Sequence, residues 1–246
     1  MVIMRSTSSI AAAFASTDGF CRLPARFLYR LQGPDTVRLL QGLVTNNMAT
    51  LEHGGDAFFC AFLSANGRVL FDAFVYPENT ASTFSQTRDA FIIETDQRCK
   101  DVLKRHIDKY ILRYKVKCEA ADDLAVWQCF GPSAKTLWAK RASLNNASLH
   151  NASLNAPPQI DSFSLSRIGC RDPRHEHLGA RFLLPADTQP ALPHSFVQVN
   201  SSEYHLFRMI QGIPEGASDF LYEVALPLES NLDFMAGSTT LKSNYS

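Results

Sequence analysis

A handful of carboxylates, arginines and histidines in this 246-residue chain could do chemistry, and their neighbours decide which kind. Asp72 ends the stretch FLSANGRVLFD, residues 62–72, just after Asn66-Gly67-Arg68. A carboxylate beside such a turn can accept a proton or stabilise developing positive charge at close range. Its structural alternative is an ion pair with Arg68. Glu215 and Glu229, with Arg208, form a second polar set. A loop carboxylate offers two oxygens to a planar pair of N–H donors, whereas an Arg208–Glu229 pair would simply pin a loop to a helix. From Arg98 to Lys117 eight basic residues stand against Asp101 and Asp108. That stripe either steers an acidic partner or is a solvated helix face. His175-Glu176-His177 carries two imidazoles without a third ligand placed by sequence, so an exposed turn is its better reading.

Several classes of function drop out on composition. The formal net charge is zero, which removes a global electrostatic case for nucleic acid. No G-x-x-x-x-G-K-[ST], G-x-S-x-G or H-E-x-x-H occurs, and hydrolase and nucleotidase readings lose their motifs. The six cysteines, 21, 60, 99, 118, 129 and 170, are spread singly. With no C-x-x-C among them, they read as packed or surface thiols of a reduced compartment and not as a metal cage. No run of 18 apolar residues predicts a membrane span. Residues 1–19 begin MVIMRSTSSIAAAFAST, with Arg5, several Ser and Ala and no acid before Asp18. This is the composition of an import leader.

These residues need elements to hold them. Pro34 stands where a first helical position tolerates a missing N–H, and Val37, Leu39, Leu40, Leu43 and Val44 recur at helical spacing, which predicts a helix over 34–46. Residues 56–63 and 69–76 alternate around Asn66-Gly67, a hairpin signal. Residues 90–94 form a further apolar run. Over 96–111 the spacing predicts a helix capped by Asp96, with Val102, Leu103, His106, Ile107 and Tyr110 on its buried stripe. Segments 116–121, 125–130, 161–168 and 180–184 read as strands. Asn200-Ser-Ser-Glu203 is a capping-box pattern opening a helix that holds Arg208 and ends at Gly212. The order implies an α+β fold of two lobes, largely antiparallel sheets with packed helices: a first lobe over 20–132 and a second over 133–246. Between Arg141 and Pro158, Ala-Ser-Leu recurs three times and Pro157-Pro158 follows, which reads as a low-complexity surface insert.

Two blocks carry a resemblance. Near the end, Arg208 is followed by Gly212-Ile213-Pro214-Glu215-Gly216, then by PLESNLD over 227–233 and by Gly237. Near the start, Leu31-Gln-Gly-Pro-Asp35 leads to LLQGLVTNN over 39–47, then to the Gly67–Asp72 stretch, and later to Arg171-Asp172-Pro173-Arg174 and Leu178-Gly179 with Arg181. From about residue 20 onward the chain resembles the mitochondrial iron–sulfur cluster assembly factors of the folate-binding, glycine-cleavage T-protein-related family.

The resemblance implies a T-protein N-terminal-domain-like fold, a place in the mitochondrial matrix, A-type iron–sulfur scaffold proteins as partners, and a late role in maturing [4Fe–4S] proteins. It makes Asn46, Arg68, Asp72, Arg208, Glu215 and Glu229 candidates for binding tetrahydrofolate, with carboxylates matching the amide edge of a pterin. The aminomethyl-transfer members carry paired carboxylates on the hairpin. Here Phe71 stands at the first of those positions, so a folate-dependent aminomethyl- or methyltransferase is the second reading. In the family a Cys after Gly237 is implicated in sharing a [2Fe–2S] cluster. This chain has the remnant Lys242, Asn244 and Tyr245, with Asn244 at the Cys position, and it ends before the family's C-terminal β-barrel domain. An inactive truncated isoform is therefore the third reading, in which Phe220, Leu221, Leu226 and Leu228 should lie exposed.

Overall fold

The computed structural model describes residues 18–52, 56–78, 88–134, 136 and 168–238. Contacts divide the chain into two compact units that are not consecutive in sequence. One is Met1–Leu23 with Ala125–Gly212, the other Pro24–Leu124 with Ile213–Ser246. A cut between residues 132 and 133 thus does not follow the observed division. The first strand, β1 (Asp18–Arg22), belongs with a strand that comes about a hundred residues later, β7 (Leu124–Phe130), so the larger segment of the second unit, Pro24–Leu124, is inserted between them.

The second unit is built on an antiparallel sheet in the order β3-β4-β5-β2-β6. Its strands are β2 (Arg26–Gln32), β3 (Phe58–Leu63), β4 (Val69–Pro77), β5 (Ala90–Asp96) and β6 (Lys117–Ala120). Alternation along each strand sends one set of side chains to each face. Phe27, Tyr29, Leu31, Phe58, Cys60, Phe62, Phe71, Val75, Phe91 and Ile93 form one face and pack in a single apolar cluster with Leu39, Leu40, Leu51, Leu103 and Ile107. Those last residues come from three helices, α1 (Thr36–Gln41), α2 (Ala49–Glu52) and α3 (Lys100–Ile111). The opposite face carries Arg26, Asp72, Tyr76 and Glu94, all buried.

The hairpin and α3 stand where periodicity predicts them. The β3–β4 connection closes through Gly67 N–H to the Ser64 carbonyl, 2.9 Å, with Gly67 at φ 71, and a register shift at Phe62/Leu63 absorbs the extra residue. Asp96 accepts from the Arg98 N–H at 2.8 Å and caps a 3₁₀ turn, Gln97–Cys99, that leads into α3. The helix expected over 34–46 is shorter, Thr36–Gln41, and opens on Asp35 instead of Pro34. Gly42 ends it, and the chain beyond is claimed by the sheet: Thr45 N–H donates to the Ala61 carbonyl and Val44 bridges to Phe62.

The first unit carries the other five-stranded sheet, β10-β1-β7-β9-β8, with β8 (Ile168–Arg171), β9 (Ala180–Pro185) and β10 (Phe196–Gln198). Here β1 runs parallel to β10, so this sheet is mixed and not wholly antiparallel. Helix α4 (Ser201–Ile210) begins at the expected capping box, the Glu203 carboxylate accepting from Asn200 N–H at 3.4 Å, and stops before Gly212 at φ 72. Inside this unit Arg174 and Arg181 are fully buried. Arg174 grips Asp172 with two nitrogens at 2.9 and 2.7 Å, and both arginines donate to the Tyr204 hydroxyl. The insert at 141–158 lies outside the described residues, as does the leader sequence up to residue 17; of the strand expected over 161–168 only Ile168 is described, and it opens β8.

Candidate functional site

Of the candidate residues of the second unit, Asp72 and Glu215 meet at a loop, Gly212 to Phe220, whose backbone is held by carboxylates. Three successive N–H groups each meet one: Glu215 N donates to Asp219 Oδ2 at 2.9 Å, Gly216 N to Asp72 Oδ1 at 3.0 Å, and Ala217 N to Asp96 Oδ2 at 3.0 Å. These carboxylates are supplied by β4, β5 and the loop itself. The conformation needs glycine at 216. Its φ is 76, and a Cβ there would lie 2.5 Å from Asp96 Oδ2.

Asp72 is fully buried, and its second oxygen faces Arg26, whose Nη1 and Nη2 are both 3.5 Å away. The same guanidinium donates through Nε to Glu94 at 2.6 Å, and the Tyr76 hydroxyl donates to the other Glu94 oxygen at 2.6 Å. Thr95 completes the set by donating to the Asp72 carbonyl at 2.9 Å. Buried charges persist only when paired and hydrogen-bonded in this way. The Arg68 pairing offered for Asp72 is not formed: Arg68 donates instead to the Val224 carbonyl at 2.7 Å. Arg26 was missed by sequence reasoning. Its signal lies in register alone, since it stands opposite Asp96 in the β2–β5 ladder.

Asp96 gives the cluster a pH dependence. Burial pushes its carboxyl up, but hydrogen bonds from the Arg98 side chain and from the N–H groups of Arg98 and Ala217 outweigh that and hold it at about 2. A depressed folded-state value stabilises the fold above the unfolded value of roughly 4 and loses that contribution as pH falls towards 2. Asp96→Asn should therefore lower stability by about 1–2 kcal/mol at pH 7 and leave little difference from wild type near pH 2, read as urea midpoints at both pH values. Equal deficits at both would show that the charge on Asp96 is not what holds Ala217.

The other candidates are likewise engaged within the chain. Asn46 uses both amide hydrogens, on the Phe59 and Ala236 carbonyls at 3.0 Å, while its oxygen accepts from Asn47 N–H at 2.9 Å. With Thr45 donating to the Gly237 carbonyl at 2.5 Å, it fastens the segment that follows PLESNLD. Glu229 is exposed and accepts from the Leu226 N–H at 3.0 Å, closing its own turn. Glu215 is buried. Arg208 belongs to the first unit, where its Nε lies 3.1 Å from His205 Nδ1. Phe71, which the resemblance sets where aminomethyl-transfer members carry a carboxylate, stacks on Phe62 at 4.8 Å inside the apolar cluster. Lys242, Asn244 and Tyr245 lie outside the described residues. Leu221, Leu226 and Leu228 are exposed as expected, whereas Phe220 is buried.

Among the described residues no group of three metal-ligating side chains comes together, and no helix is long and apolar enough to cross a membrane. His175 caps a short 3₁₀ turn, Glu176–Leu178, that contains His177. Five of the six cysteines are buried and Cys118 is half-buried. Burial pushes the Cys60 and Cys129 thiols well above their ordinary range and those of Cys99 and Cys118 to about 11. The basic stripe is partly neutralised locally, Arg98 by Asp96, Lys104 by Asp108 and Lys117 by Glu119.

Curated proteins resemble the chain over most of its length. The mitochondrial iron–sulfur cluster assembly factor IBA57 homolog of Aspergillus oryzae is 35% identical over 243 residues, covering 92% of this chain and 52% of that protein. Human IBA57, also named an iron–sulfur cluster assembly factor, is 34% identical over 231 residues, covering 91% of this chain and 59% of that protein. The chain is a relative of these IBA57 factors. It spans between half and three-fifths of their length. No family model matches it. Among solved structures, the glycine cleavage system aminomethyltransferase T of Bartonella henselae superposes with a TM-score of 0.62 at 14% identity, covering 92% of this chain and 60% of that one. At that identity the likeness establishes the α+β T-protein fold, and the activity of the aminomethyltransferase does not transfer with it.

Proposed function

We propose that the chain acts in the mitochondrial matrix as an iron–sulfur cluster assembly factor for [4Fe–4S] proteins, with A-type scaffold proteins as partners. The observation that carries this reading is the identity of about one third, across nine-tenths of the chain, to IBA57 factors of fungi and mammals. The geometry favours a protein that positions partners over one that transfers a one-carbon unit. A transferase needs an open carboxylate near the reacting nitrogen, and here Phe71 is packed in the core while the oxygens of Asp72 are taken by Arg26 and Gly216. The same engagement counts against Asn46 and Asp72 as free acceptors for a pterin. In this reading they hold the Gly212–Phe220 loop and the segment at 236–237 in one conformation.

The test is complementation. Cells depleted of their own IBA57 factor should recover the activity of a mitochondrial [4Fe–4S] enzyme when this chain is expressed, imported and stable. Stable accumulation in the matrix without recovery would count against the reading. Tetrahydrofolate-dependent aminomethyl transfer by the purified chain would favour the enzyme alternative.

A further inference from the structure

A cavity of about 350 Å³ opens in the second unit between α3, the Ser64–Asn66 turn and residues 222–223. Its volume lies at the lower end of the range for small-molecule sites. Leu70 and Val102 give it an apolar lining, while Arg105 and Lys109, one helical turn apart, bring two cations to it. Unlike Arg98, Lys104 and Lys117, neither has an ion pair among the described residues. Tyr110 and Tyr222 contribute ring surface, and Tyr222 is half exposed.

Two further observations point to an occupant. His106 also lines the cavity, and its Nε2 is shut off from solvent with no hydrogen-bond partner. Buried polar nitrogens rarely go unsatisfied, and each one calls for an explanation. Burial, helped by Lys109, lowers the His106 pKa, so the ring is neutral at physiological pH and can accept or donate. Glu223, at the rim, is held at φ 55, a conformation uncommon outside glycine. It is fixed there by two hydrogen bonds with its neighbours: Glu223 N–H to the Val69 carbonyl and Val69 N–H to the Ala225 carbonyl, both 2.9 Å. Strain of this kind persists where the surroundings over-determine it, and it clusters at binding sites.

We propose that this cavity is a binding site for a small aromatic carboxylate bearing an N–H donor, its carboxylate between Arg105 and Lys109 and its ring beside Tyr110 and Tyr222. The acid at Glu223 sets the class. It accepts a ligand N–H, and it repels polyanions that two cations alone would admit. Nothing in the carboxylate clamp around Asp72 is needed for this site.

Hippurate, which joins a benzoyl ring, an amide N–H and one carboxylate, is a suitable probe for the full chain. Titration followed by amide chemical shifts should saturate in the millimolar range or below, with shifts concentrated at Asn66, His106, Lys109 and Glu223. Arg105→Gln and Lys109→Gln should each weaken binding about tenfold, as loss of one charge-assisted contact implies. Arg113→Gln, in the turn after α3, should leave it unchanged. Glu223→Gln should improve inorganic phosphate binding relative to hippurate. Absence of saturable shifts up to about 10 mM hippurate, or equal affinity in folded Arg105→Gln and Lys109→Gln, would overturn the proposal. So would phosphate binding to the unaltered chain as tightly as hippurate, which would make the site a plain anion sink.

Discussion

Arg26→Met should cost about 3–5 kcal/mol and leave the second unit partly unfolded at physiological temperature. Arg26 stands between two fully buried carboxylates, at 2.6 Å from Glu94 and 3.5 Å from Asp72. Methionine fills much of the same space but supplies no charge, so the substitution leaves two buried acids without their shared cation, where neither can reach water. The effect is not confined to the pair, because Asp72 is also what holds Gly216. Arg30→Met is the control. Arg30 makes a similar fork with Glu78 and Asp123 on the same strand, but that cluster is partly solvated and should be worth about 1 kcal/mol or less. Denaturant melts of both variants decide the matter. If the two midpoints move by similar amounts, the buried cluster is not the charge-compensated keystone that its geometry describes.

Anaerobic reconstitution of the purified chain with iron and sulfide should give no stoichiometric [2Fe–2S] absorbance. Cluster ligands are thiolates. Five of the chain's six cysteines are buried, and burial raises the thiol pKa of Cys60, Cys99, Cys118 and Cys129 above the ordinary range. The resemblance would set a cluster-associated Cys at the position of Asn244, and an amide is a poor substitute for a soft thiolate. Asn244→Cys, mixed with an A-type scaffold protein, should raise cluster occupancy above that of the unaltered chain with the same partner. A stoichiometric cluster on the unaltered chain alone would refute this account of its thiols.

Local chemistry made some of this structure legible in the sequence. Alternation around Asn66-Gly67 specifies the β3–β4 hairpin because side-chain direction and turn preference are both local, and the α3 stripe repeats over enough turns to be unambiguous. The capping box before α4 is equally local. Arg26 was not legible. An arginine opening the run RFLYRLQ resembles any strand-edge charge, and only the pairing of β2 with β5 and of β5 with β4 places it among Glu94 and Asp72. Motif matching marked Asp72 and Glu215 as places to look, as candidates for a ligand or for a structural pair. The hydrogen bonds from Gly216 and Ala217 to Asp72 and Asp96 could be read only once residues 144 and 121 positions apart met. The interleaved division was missed for a related reason: a strand's sequence shows its own periodicity and nothing about which distant strand completes its sheet.

The interleaving also dictates an order of events on the ribosome. Strand β1 leaves the exit tunnel early, yet the residue opposite Arg22 is Trp127, and its parallel neighbour begins at Phe196. At roughly 5–20 residues per second, β1 waits several seconds or more for its first partner while most of the inserted unit is made. During that interval its backbone donors and acceptors are an open template for pairing with another nascent chain. Newly made protein should therefore depend on whatever shields a short, lone strand, even if the finished fold does not.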